Sequence, residues 1–318
     1  MFERILLPLD GSSLAECVLP HAVTLARCFD STLILLRALE RQQSGRVVEA
    51  VDTVEWEMLK SEAEAYLKSI SDRLQQLDLP AEQIVAEGAA AERILGVADE
   101  QDIDLIILSS HGASGLSGWN INSTVQKVIL RCYVPALIVR AYREVPQDWS
   151  GLRYKRLLVP LDGSKRAELV LPLASKLASC QEATLVLAHV VTRPEVDQLG
   201  PLPEEIAGLV DKLSDWTLER AEEYMADVQS RTSDTADTHT ALADHDAAQL
   251  HELVKDEDID LVILSAHGHS GEAKWPYGSV ALNFIAYGTK PLLIMQDISK
   301  GEVPPTEAER AAKEEPGH

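Results

Sequence analysis

The sequence predicts an α/β protein made of two tandem doubly wound domains, each a five-stranded parallel sheet with helices on both faces. Three observations carry that prediction. The chain repeats itself once; each copy alternates short apolar runs with helical periods; and the best-repeated segments fall just after the first and fourth apolar runs. RILLPLDGS at Arg4–Ser12 returns as RLLVPLDGS at Arg156–Ser164, an offset of 152 with seven of nine positions identical. QDIDLIIL at Gln101–Leu108 returns as EDIDLVIL at Glu257–Leu264, with six of eight identical at an offset of 156. A net four-residue insertion therefore lies between the two blocks in the second copy. Two homologous domains follow, at 1–142 and 153–298, joined by the turn-rich segment Tyr142–Leu152. The stretch 299–318 has almost no bulky apolar residue and reads as a disordered tail.

Within one copy, ILLPL, LILLRAL, QIVAEG, LIILS and PALIVR are short and rich in Ile, Leu and Val, as strands buried on both faces must be. Helical segments separate them. Ser13–Cys28 reads as one helix. Val54, Met58, Ala63, Leu67, Ile70, Leu74 and Leu77 recur at helical spacing and predict the apolar face of a long second helix. Ala90–Glu100 and Ser123–Cys132 supply two more. Alternating strands and helices with right-handed crossovers give an open parallel sheet, and in such sheets ligands sit beyond the carboxyl ends of the strands. The loops after the first and fourth strands, PLDGS and SSHG or SAHG, are thus the candidate site.

Composition narrows the functions. With 51 Asp+Glu against 29 Lys+Arg, the net charge of −22 opposes nucleic acid and anionic membrane surfaces. No run approaches the roughly 20 apolar residues of a membrane span, and the N-terminal apolar run is too short for a signal peptide, so a cytoplasmic protein is expected. Cys17, Cys28, Cys132 and Cys180 show neither CxxC pairing nor metal spacing. They read as reduced thiols, with Cys28 and Cys180 serving as small buried apolar groups.

The loops admit two readings. In the bland one, Pro ends the strand, Gly turns the chain and a serine caps the helix. In the functional one, Gly268 and the Gly278-Ser279 pair nine residues further on place backbone N–H groups at a helix start, where a phosphate binds. These residues resemble the universal stress protein family in its tandem form, whose nucleotide-binding members carry G-x-x-G, nine residues, then G-[ST], with an Asp ending the first strand. The resemblance spans both copies nearly end to end. It implies strand order 3-2-1-4-5 in each domain and an intrachain pseudo-dimer through the fifth strands, with further homodimerisation left open.

It also implies an adenine nucleotide, ATP or else ADP or AMP, with Mg²⁺ reaching the site only through the phosphates. In the second copy Leu161, Asp162 and Val190 would hold the adenosine, and Ser265, His267, Gly268, Gly278 and Ser279 the phosphates. In the first copy the matching residues are Leu9, Asp10 and Ala38, then Ser109, Gly112, Asn122 and Ser123. Asn122 and Ser109 stand where the family has glycines, whereas in the second copy Ser265 alone does, so the second copy is expected to be the better site. No catalytic or metal-binding residues are expected. His111 and His267 have no evident acidic partner by spacing, the six-residue spacing of His239, His245 and His251 spreads them around a helix, and a Walker A string is absent. The alternatives are a scaffold acting through protein contacts, or a slow ATPase.

Overall fold

The computed structural model describes residues 1–40, 53–113, 121–141, 148–194, 203–232, 236–269 and 276–298. The tail, Trp119, Trp275, Glu272, Lys274 and the first half of the linker lie outside the described residues.

The first repeat contains β1 (Arg4–Pro8), α1 (Val18–Phe29), β2 (Thr32–Leu39), α2 (Thr53–Gln75), β3 (Ala81–Glu87), α3 (Ala90–Glu100), β4 (Leu105–Ser109), α4 (Ser123–Ile129) and β5 (Ala136–Val139). The second contains β6 (Arg156–Leu161), α5 (Lys165–Glu168), α6 (Leu171–Gln181), β7 (Thr184–Thr192), α7 (Glu204–Thr232), β8 (Asp237–Ala243), α8 (Asp246–Asp256), β9 (Leu261–Ser265), α9 (Ser279–Tyr287) and β10 (Leu292–Met295). The strands form one ten-stranded sheet, ordered β3-β2-β1-β4-β5-β10-β9-β6-β7-β8. All neighbours are parallel except β5 and β10, which run antiparallel with Leu293 opposite Leu137.

Alternation along the strands explains the two layers. Ile5 and Leu7 enter one buried cluster with residues of α1, α2, α6 and α7, whereas Leu6 enters the other with residues of α3, α4, α8 and α9. The second serine of SS and the segment after it do not continue as one regular helix: a single 3-10 turn, Ala15–Cys17, precedes α1. That turn begins where the Ser12 hydroxyl accepts a hydrogen bond from the Ala15 N–H at 3.2 Å. On α2 the apolar face is rotated from the expected one. Val54 and Met58 are 64% and 59% exposed, and Trp56 is buried instead, donating its ring N–H to Glu87 at 3.1 Å.

The cysteine expectation is corrected. Cys28 and Cys180 form a disulfide between α1 and α6, with a Cα separation of 5.7 Å. Their offset of 152 places them at equivalent helix ends, and packing α1 against α6 across the approximate twofold axis brings equivalent positions face to face. Sequence spacing alone cannot show such a meeting. Cys17 and Cys132 are buried and form no disulfide.

The described end of the linker is also held down. Trp149 is buried with the Arg73 guanidinium 3.5 Å from its ring centroid, and Tyr154 is buried against His21, their Oη and Nδ1 2.6 Å apart. No helix among the described residues is long and apolar enough to cross a membrane.

Candidate functional site

Each repeat carries a cleft at the carboxyl ends of its central strands. Leu161, Asp162, Val190, Ser265, His267, Gly268, Gly278 and Ser279 all line the second cleft. Leu9, Asp10, Ala38, Ser109, Gly112 and Asn122 line the first; Ser123 does not, and its helix contributes Thr124 and Val125 instead. Both clefts measure about 120 Å³, so Asn122 and Ser109 do not close the first one.

The two aspartates are the hinge pins of these clefts. Gly11 and Gly163, at φ +80° and +82°, turn the chain after the strand as only glycine does without strain. The turn aims the carboxylate across to the other loop. Asp162 accepts the Ser164 N–H at 2.9 Å on one oxygen and the His269 N–H at 2.5 Å on the other. Asp10 repeats this with the Ser12 N–H at 2.9 Å and the Ala113 N–H at 2.5 Å. Burial pushes the Asp162 carboxyl up, but the hydrogen bonds from Ser164 and His269 outweigh it, and the group sits below the usual carboxylate range.

This arrangement explains the glycine of the HG pair better than phosphate access does. A Cβ on Gly268 would lie 2.0 Å from Asp162 Oδ2, and one on Gly112 would lie 2.1 Å from Asp10 Oδ2. Gly278 is different. A Cβ there would meet the Ala266 carbonyl at 3.5 Å, an ordinary contact, and its φ of −76° suits any residue.

Asn122 therefore differs from Gly278 through its amide rather than its Cβ. As N-cap of α4, Asn122 accepts the Val125 N–H on Oδ1 at 2.8 Å, so the helix start is closed by its own side chain. Gly278 is the N-cap of α9 and no side chain caps that helix; Ser279, Val280 and Ala281 of its first turn line the cleft. The serines differ in the same direction. Ser109 Oγ is satisfied by the protein itself: the His111 carbonyl at 2.6 Å and the Leu14 carbonyl, after the first strand, at 2.8 Å are its acceptors, and the Cys17 thiol donates to it at 3.3 Å. Ser265 Oγ is buried with no hydrogen-bond partner among the described residues.

Sequence reasoning missed two acids. Asp246, in the first turn of α8, lines the second cleft where the first has Ala90. Its signal was an i, i+4 pair with Leu250 facing the strands. Asp297, just past β10, accepts from or pairs with His267 Nδ1 at 2.7 Å, so this histidine does have an acidic partner, 30 residues away. Only the fifth strand's place beside the fourth brings them together. His239 lies on β8, His245 precedes α8 and His251 is on α8, and no His, Cys, Asp and Glu group among the described residues could hold a metal ion.

Comparison with known proteins follows the same repeat. The model of the universal stress protein family matches residues 1–140 and again 153–296. The chain belongs to the universal stress protein family. Among curated members of that family, universal stress protein MJ0531 of Methanocaldococcus jannaschii is 25% identical over 141 residues, covering 44% of this chain and 83% of that protein. Universal stress protein YxiE of Bacillus subtilis is 30% identical over 149 residues, covering 44% of this chain and all of that one. These relatives match a stretch of about one repeat. The crystal structure of a universal stress protein from Archaeoglobus fulgidus shares the fold along the chain, with a TM-score of 0.65 at 16% identity, covering 92% of this chain and 98% of that one.

Proposed function

We propose that this universal stress protein binds one adenine nucleotide, ATP before ADP or AMP, in the cleft of its second repeat, and acts as a binding module rather than an efficient enzyme. The observation that carries the reading is the pairing, in one cleft, of an α9 start and a Ser265 hydroxyl that have, among the described residues, no side-chain cap and no hydrogen-bond partner. A helix start supplies N–H donors and the positive end of a dipole, which suits phosphate oxygens. Leu161, Ala188, Val190 and Leu250 give the same cleft an apolar wall of the kind a base packs on. Asp162 serves by holding the two loops together, since backbone N–H groups take both its oxygens.

The first repeat is read as weak or empty, because Asn122 and Ser109 satisfy internally the groups that a phosphate would use. The described lining of the second cleft holds no Lys or Arg, and its acids are Asp162 and Asp246. Mg²⁺ carried by the phosphates would offset that charge. The described lining holds no arginine to take transition-state charge, and both oxygens of Asp162 are engaged by backbone N–H groups, which fits a binding module with slow or no hydrolysis. In this reading the repeats, 1–142 and 153–298, are the functional domains of a cytoplasmic protein.

The test is to denature freshly purified protein, identify released small molecules, and titrate the stripped protein with ATP, ADP and AMP by calorimetry. One site per chain is expected. No released nucleotide and no heat with any of the three would favour the scaffold reading.

A further inference from the structure

His111 and His267 occupy equivalent places beside the two clefts, and both have their Nδ1 held, but by different residues. In the first repeat Ser110 Oγ lies 3.1 Å from His111 Nδ1, and the same hydroxyl accepts the Ala141 N–H at 3.0 Å. In the second repeat Ala266 stands in place of Ser110 and has no hydroxyl, while Asp297 stands in place of Ala141 and supplies the partner. The two exchanges are complementary. Ser110→Ala alone would remove the partner of His111 Nδ1, and an aspartate at the Ala141 position, as at Asp297, supplies a replacement. The shared feature under both solutions is a histidine held in one orientation at the base of the HG loop.

The second solution reaches further. Asp297 Oδ1 is 2.7 Å from His267 Nδ1, and Asp297 Oδ2 is 3.4 Å from Arg166 Nε, an ion pair rather than a hydrogen bond. The Asp297 side chain is fully buried and that of His267 is 1% exposed, so the pair is shielded from water. Arg166 lies on α5, directly after the loop that carries Asp162, and Leu14 stands in its place in the first repeat. One carboxylate thus contacts His267, which lines the second cleft, and Arg166, the neighbour of the lining residue Ala167. It is itself anchored two residues beyond β10, the strand that pairs with β5 across the seam between repeats.

We propose that Asp297 is a positioning residue for the second cleft: by holding His267 and Arg166 from the seam between the repeats, it sets the loop geometry on which nucleotide affinity depends. This inference rests on the nucleotide reading above. At metal sites the partners that orient a ligating side chain contribute on the order of tenfold or more to affinity, and the same order is expected for a histidine held at a nucleotide cleft.

The experiment uses the full chain and calorimetric titration with ATP. Asp297→Ala should weaken binding on the order of tenfold, whereas Asp297→Asn, which retains an acceptor for Nδ1–H, should stay close to the wild-type protein. The decisive variant combines Ala266→Ser with Asp297→Ala, importing the first repeat's arrangement, and should recover most of the lost affinity. The His267 Nδ1–H proton resonance should be present in the wild-type protein and lost in Asp297→Ala, and it reports the pin independently of any ligand. Equal ATP affinity in the wild-type and Asp297→Ala proteins overturns the proposal, as does a double variant that folds with its imidazole held and binds no better than the single one. Failure of the wild-type protein to bind any adenine nucleotide, with the resonance present, overturns the nucleotide reading instead.

Discussion

Adding one methyl group at Gly268 tests how the cleft is held together. Its Cβ would lie 2.0 Å from Asp162 Oδ2, a distance at which something must move, and its three nearest atoms all belong to that carboxylate group. Moving it breaks the bonds from the His269 and Ser164 N–H groups. Hydrogen bonds to charged groups contribute ~1.5–3 kcal/mol each, but these are solvent-exposed, so ~1 kcal/mol apiece is the better scale. With a residual steric cost of ~1 kcal/mol, Gly268→Ala should destabilise the protein by about 2–3 kcal/mol. In an Asp162→Ala background the obstacle is gone, and the same substitution should cost under ~1 kcal/mol. The assay is urea unfolding followed by tryptophan fluorescence for the four proteins of the cycle, with equal slopes required for the comparison. The reasoning predicts a coupling of about 2 kcal/mol. Additive effects would refute it and show that the glycine serves something other than passage of the carboxylate.

Exchanging the N-caps should exchange the clefts' properties: Gly278→Asn should stabilise α9 by a few tenths of a kcal/mol and abolish ATP binding, while Asn122→Gly should cost a few tenths and leave stoichiometry at one or raise it, both read by thermal melts and calorimetry. Reducing the Cys28–Cys180 disulfide, or Cys180→Ser, should lower stability by up to ~5 kcal/mol, because the bond closes a loop of 152 residues; melts with and without a phosphine reductant measure it, and an unchanged melt would contradict the cross-link's role. Burial pushes the His21 imidazole down from 6.5 to about 4, so the folded state resists the proton that the unfolded state takes up. Stability should be full above pH 6.5 and fall between 6.5 and 4, by about 2 kcal/mol at pH 5, and His21→Gln should flatten that slope in urea midpoints measured from pH 7 to 5.

Much of the architecture was legible in the residues because it rests on local rules. The central strands, buried on both faces, carry the unbroken Ile, Leu and Val runs, whereas the edge strands depart from that expectation: β3 is only partly buried, and β8 reads DTHTALA with no such run, because an edge strand is covered less. The positions lining the clefts could be named in advance because the carboxyl ends of strands in a doubly wound sheet converge, whatever the side chains there do. What those side chains do was decided in three dimensions. Gly268 looked like a phosphate glycine and is required by Asp162; Asn122 looked like an obstructing Cβ and is a helix cap; Val54 and Met58 kept helical spacing yet face outward while Trp56 turns in. The Cys28–Cys180 bond and the His267–Asp297 pair join residues 152 and 30 positions apart. Hydrophobic periodicity constrains neighbours along a chain, whereas these contacts depend on which helix crosses which seam and which strand ends beside which loop, and only the packed fold fixes that.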